Sequence, residues 1–239
     1  MNPLVETLLL NNEAATLFHS NQCLSRAADA YQKSLCNVQS LLRGHHHTAL
    51  MDPPLHSTLV SPERCSHYSF PNASSMTPSP ARDNFYLFQR ALYLNAPSAA
   101  DVSSPSSPQA ICQALPILGS VVLFNSAILY HKNAVLTGES FSLDKAQQLY
   151  KASLQFATSQ GATNPTDWLI TIAASNNLAQ IAYEKGLIDE VNERLDDLSF
   201  LMSRGGSLER LQGIFTVAEI EGFLSNAAMT GGFKSSPAA

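Results

Sequence analysis

The sequence predicts an all-α protein built of antiparallel helical hairpins, and three observations carry that prediction. Apolar residues recur at three- and four-residue steps instead of alternating. The periodic stretches come in pairs joined by short polar turns, and the Ser/Pro-rich segments lie between these pairs.

Taken in order, residues 1–43 form the first hairpin. Its opening run Leu8, Leu9, Leu10 follows Glu6, with no basic stretch or small-residue cleavage site, so it reads as a helix start and not a signal peptide. Residues 44–82 form a disordered insert, because 18 of these 39 positions are Ser, Pro or His and only Asp52, Glu63, Arg64 and Arg82 are charged. Residues 83–95 form an aromatic segment around Phe85, Tyr86, Phe88 and Tyr93, either a short strand or a docking segment. A lone strand cannot satisfy its own backbone groups, so this segment is expected to lie against the helices or pair with something else. Residues 96–110 are a second Ser/Pro linker.

Residues 111–203 hold the second and third hairpins. Leu143, Ala146, Tyr150, Leu154 and Ala157 line one helix face, with Ser142 and Asp144 placed to cap its start. Asn164-Pro165-Thr166-Asp167 opens the next helix. After a turn at Gly186, Leu187, Val191, Leu195, Leu198 and Met202 repeat the pattern. Residues 204–230 are read as a capping helix from Leu208 to Ala228, with Leu211, Phe215, Ala218 and Phe223 inward, and 231–239 as a frayed tail.

Composition narrows the function. Lys plus Arg total 14 against 19 Asp plus Glu, a net charge of −5, so no basic field draws nucleic acid. The apolar run Leu115–Tyr130 is interrupted by Pro116, Gly119, Ser120, Asn125 and Ser126, which argues against a membrane span. Cys23, Cys36, Cys65 and Cys112 have no paired spacing, which points to a soluble protein of the cytoplasm or nucleus. His45, His46, His47, His56 and His67 are concentrated in the insert but lack carboxylate or thiolate partners at motif spacing, and Cys65-Ser66-His67 has nothing to hold its geometry. With no HExxH, GxSxG, P-loop or GxGxxG sequence either, no catalytic residue, metal or cofactor is expected. Six Ser/Thr-Pro pairs, at Ser61, Thr77, Ser79, Ser104, Ser107 and Ser236, are candidate phosphorylation sites.

Laid over one another, the hairpins share a pattern. Arg26-Ala27-Ala28-Asp29-Ala30-Tyr31-Gln32-Lys33-Ser34-Leu35, Phe124-Asn125-Ser126-Ala127-Ile128-Leu129-Tyr130 with Ala146 and Tyr150, and Asn177-Leu178-Ala179 through Gly186 resemble the tetratricopeptide repeat, a helix–turn–helix unit of about 34 residues. Departures are Ala14 for the usual leucine, Gln22 for glycine, Val191 for alanine, and a second turn seven residues longer. The resemblance implies a right-handed superhelix of stacked hairpins; the alternative is a plain helical bundle. It also implies a concave groove lined by the first helices, here with Asn12, Thr16, Asn125, Lys132, Asn177, Gln180 and Glu184, that binds a protein or peptide partner. The carboxylate grip found in some members of the family is matched only at Asn125 and is not expected. The competing readings are a small enzyme or regulatory subunit with a site between the 85–94 segment and the helices, and self-association through that segment.

Overall fold

The computed structural model describes residues 3–20, 24–45, 85–94, 108–159, 165–204 and 211–229. Among these are seven helices and no strand: α1 (Pro3–His19), α2 (Leu24–His45), α3 (Pro108–Thr137), α4 (Ser140–Ser159), α5 (Pro165–Glu184), α6 (Ile188–Arg204) and α7 (Val217–Ala227). The all-α prediction therefore holds. The segment Phe85–Leu94 carries no regular secondary structure. Most of the insert, the linker from 95 to 107 and the tail lie outside the described residues, with the histidine run beyond His45 and the cysteine–histidine pair at Cys65 and His67.

The chain divides into two units, Met1–Ser61 with Arg90–Ile170, and Pro62–Gln89 with Thr171–Ala239. The boundaries fall inside α5 and inside the 85–94 segment.

In the first unit α1 packs on α2 and α3 on α4, while α3 also contacts α2 and α1. Small residues line the inner faces: Ala14, Ala15, Ala27, Ala127 and Ala146 are fully buried beside Tyr31, Phe124 and Tyr150. Serine hydroxyls tie the helices within each hairpin, Ser34 Oγ donating to the Thr7 carbonyl at 2.9 Å and Ser153 Oγ to the Ser120 carbonyl at 2.8 Å. Thr7 with Ser120 and Ser34 with Ser153 are therefore equivalent positions. That equivalence makes Ala14 and Ala127 corresponding positions of the two hairpins.

Three expectations fail here. The long second turn does not exist, because α3 continues through Lys132 and Asn133 to Thr137 and only Gly138 and Glu139 intervene before α4. Gly138 takes φ +72°, a left-handed value that suits glycine, and its N–H bonds to the Ala134 carbonyl at 2.7 Å. Ser142 and Asp144 are not caps, since α4 starts at Ser140. Ser142 is instead buried in a polar knot, its Oγ donating to Glu139 Oε2 at 2.7 Å and accepting from Asn133 Nδ2 at 3.0 Å. The linker is shorter than read, because α3 opens at Pro108, a residue suited to a first turn. Pro116 sits inside α3 without ending it. The segment Leu115–Thr137 is long and apolar enough to cross a membrane, with a mean hydropathy of 1.2, yet 72% of that window is buried in the protein, as in a core helix.

In the second unit the α5–α6 turn is a Schellman motif, with Gly186 at φ +69°, its N–H on the Tyr183 carbonyl, and Leu187 N–H on the Ala182 carbonyl. Val191, Leu195, Leu198 and Met202 are buried as predicted, but Leu187 is exposed. Helix α6 contacts α7. The last helix starts at Val217, not Leu208, because Thr216 and Glu219 form a capping box: Glu219 N–H donates to Thr216 Oγ1 at 3.2 Å and Thr216 N–H to Glu219 Oε2 at 2.8 Å. Phe215 lies ahead of that cap, and Ala218 faces solvent.

Candidate functional site

Three of the predicted groove residues meet a peptide, and the peptide is the chain's own 85–94 segment. In the first unit Asn125, on α3, clamps Leu92 by both main-chain groups. The Leu92 N–H donates to Asn125 Oδ1 and Asn125 Nδ2 donates to the Leu92 carbonyl, each at 2.8 Å. Asn12, on α1, holds Leu94 in the same way, accepting from its N–H at 2.8 Å and donating to its carbonyl at 2.6 Å. Asn11 joins the two clamps, with Nδ2 on the Leu92 carbonyl at 3.1 Å and Oδ1 accepting from Asn125 Nδ2 at 2.9 Å.

The second unit repeats this network. Asn226, on α7, clamps Tyr86, accepting from its N–H at 2.9 Å and donating to its carbonyl at 2.8 Å. Asn177, on α5, clamps Phe88 at 3.0 and 2.9 Å. Asn176 takes the role of Asn11, donating to the Tyr86 carbonyl at 2.9 Å and accepting from Asn226 Nδ2 at 2.6 Å. Because Tyr86 and Phe88, like Leu92 and Leu94, are two residues apart, the held side chains follow the period of extended backbone.

This arrangement answers the bonding problem that the sequence posed. A buried peptide group without a partner costs about 1–3 kcal/mol, and a primary amide offers one acceptor and two donors, enough to satisfy both groups of one residue. Asn11, Asn125, Asn176, Asn177 and Asn226 are all at most 1% exposed. Side chains then pack around the clamps. Phe88 stacks on Phe223 with centroids 5.8 Å apart, Tyr86 meets Phe223 edge-on at 5.4 Å, and Phe85 lies 5.0 Å from Tyr183. Gly222 leaves room for Tyr86, since any Cβ there would collide with its ring. Tyr93 stacks on His19 at 5.6 Å, its hydroxyl 3.3 Å from His19 Nδ1.

The other predicted groove residues do something else. Thr16 is exposed and donates to the Asn12 carbonyl on its own helix. Lys132 sits 4.7 Å over the Phe18 ring, and burial lowers its ammonium below the usual lysine range. Gln180 and Glu184 bond to each other one turn apart at 3.4 Å. Burial also lowers His19, opposed by its bond to the Ala15 carbonyl and helped by Lys132 and Arg90. His131 is buried with neither ring nitrogen bonded, which brings it down to about 3.

Sequence reasoning missed Asn11, Asn176 and Asn226. A signal was present, since the clamp asparagines all stand in Asn-x-Ala, at 12–14, 125–127, 177–179 and 226–228. Among the described residues no group of three His, Cys, Asp or Glu could hold a metal ion. Compared with protein-family models, curated proteins and solved structures, the chain has no match.

Proposed function

We propose that the protein is a non-enzymatic interaction scaffold of stacked, tetratricopeptide-like hairpins, whose first helices bind extended polypeptide through asparagine side chains. One observation carries this reading: Asn12, Asn125, Asn177 and Asn226 each pair with both main-chain groups of a single residue. Such a clamp recognises polypeptide as a class, because every residue but proline offers that pair of groups. The equivalence of Thr7, Asn12 and Ser34 with Ser120, Asn125 and Ser153 supports a repeat over a plain bundle. The enzyme reading gains no support from the contact between segment and helices, which is filled: Phe88 is 0% exposed and Leu92 3%. The partner is a protein or peptide, and the protein acts in solution in the cytoplasm or nucleus.

The test is affinity purification of the full chain from native extract, beside the Asn125→Ala, Asn177→Ala double variant shown to be folded by circular dichroism. A partner held by the wild type and lost by the folded variant supports the reading. A partner indifferent to both substitutions places binding away from the asparagine faces.

A further inference from the structure

We propose that α7 docks a basic, amphipathic helix of another protein against the face formed by Val217, Glu221, Leu224 and Ala228, completing a hairpin. This rests on the equivalence of the hairpins, and not on what the asparagine clamps hold.

The clamp asparagines align the first helices with one another, and three of those helices show the same face covered. Five residues before Asn12, Asn125 and Asn177 stand Thr7, Ser120 and Ile172, and two residues after them stand Ala14, Ala127 and Ala179; all six are 0% exposed. In α1 and α3 the cover is the second helix of the same hairpin, whose serine donates to the main-chain carbonyl at the first of these positions. Asn226 clamps Tyr86 as the others clamp their residues, so α7 is a first helix too. Its corresponding residues, Glu221 and Ala228, are exposed. Leu224 between them is 48% exposed, where Leu10 and Leu123 are half-buried, and Val217 is 58% exposed. Steps of four, three and four residues set these four side chains along one side of the helix. Helix α7 contacts α6, and no second helix follows it among the described residues.

The helices that cover this face in the first two hairpins share a pattern, which defines the occupant. Ala27, Tyr31 and Ser34 on α2, and Ala146, Tyr150 and Ser153 on α4, stand at the same four- and three-residue steps, each at most 1% exposed. The partner is therefore a helix antiparallel to α7 with alanine, tyrosine and serine at those steps. Glu221 adds a charge requirement. It takes the place of the buried Thr7 and Ser120, and α7 carries no Lys or Arg, so a helix laid over it must supply a cation or bury the carboxylate unpaired. The same residue argues against a second copy of α7, since a symmetric pair would bury two Glu221 carboxylates with no cation on either helix.

The experiment uses the full chain and, as probe, a labelled synthetic peptide spanning residues 24–45, which holds the Ala-Tyr-Ser pattern with Arg26, Lys33 and Arg43 against Asp29. Fluorescence anisotropy is expected to show saturable binding that Leu224→Arg with Ala228→Arg weakens at least tenfold and Glu221→Lys at least threefold. All three positions are exposed, so these variants should keep the wild-type circular dichroism and melting temperature. A peptide spanning residues 188–204, acidic and without the pattern, should not bind. Failure of the 24–45 peptide to bind, or binding indifferent to the substitutions, as when the peptide enters the first hairpin instead, overturns the proposal. A melting temperature lowered by several degrees in the double variant would place the chain's own residues on this face and overturn it as well, as would a dimer in sedimentation that the double variant splits. Peptide binding absent from α7 beside an extract partner that still needs the asparagines sinks this proposal alone; peptide binding on α7 with no such partner sinks the reading of the asparagine faces alone.

Discussion

Replacing Asn125 by alanine tests the clamp at its most connected point. The substitution removes both bonds to Leu92 and the bond to Asn11 Oδ1. The Leu92 carbonyl keeps Asn11 Nδ2 at 3.1 Å, but its N–H and Asn11 Oδ1 lose these partners in places 3% and 0% exposed. At about 1–3 kcal/mol for each of these two buried orphans, the expected loss is about 2–6 kcal/mol. That is a large part of the 5–15 kcal/mol by which domains are ordinarily stable. Asn125→Asp should cost at least as much, because it keeps the acceptor for Leu92 N–H but turns a buried carboxylate toward two oxygens. Asn12→Ala should cost less, since Asn12 is only half-buried and water can replace it. Urea unfolding followed by far-ultraviolet circular dichroism measures all three, and amide exchange at Leu92 reports the clamp directly. Values for both Asn125 variants within 0.5 kcal/mol of the wild type would refute the account of the segment as held by its asparagines.

Other substitutions test its surroundings. Gly222→Ala pushes a Cβ into the Tyr86 ring and should lower the melting temperature by several degrees, whereas Gly119→Ala meets Phe156 and Val38 at ordinary contact distances of 3.5 and 3.7 Å and should be neutral or stabilising by up to about 1 kcal/mol; the reverse order would contradict the packing described. Thr216→Ala removes the Oγ1 that accepts from the Glu219 N–H, leaves the backbone N–H of residue 216 on Glu219 Oε2, and should cost about 1 kcal/mol in urea unfolding. Because burial lowers His131 to about 3, the unfolded chain binds the extra proton below its usual value of about 6.5. Stability should therefore fall as pH drops through that value, by about 2 kcal/mol between pH 7 and pH 5, with His19 adding in the same direction. His131→Leu should flatten this slope, and an unchanged slope would show that the ring takes up its proton without unfolding.

The hairpins were legible because helical period is local: Leu143, Ala146 and Tyr150, or Val191, Leu195 and Leu198, record in their own spacing which face is apolar. Helix ends were read less well. Ser142 looked like a cap because serine often is one, and only its packing against Asn133 and Glu139 shows it as part of a polar knot. At the last helix the capping box is spelled out in Thr216 and Glu219, and it fixes the start more closely than the apolar residues ahead of it do.

The candidate site divides along the same line. The sequence by itself determined the helices, the polar positions on their first members, and an aromatic segment with unmet backbone bonds. Only the tertiary structure decided that these last two satisfy each other. A side-chain amide bonds whichever peptide group folding brings to it, and the partners here lie 33 residues away for Leu92 and Asn125 and 140 for Tyr86 and Asn226. Because the bonds run to the main chain, the clamped residues carry no side-chain mark of them. Asn11 and Asn176 likewise look like surface residues until a second asparagine and a carbonyl close over them, and burial, not pattern, makes them part of the site.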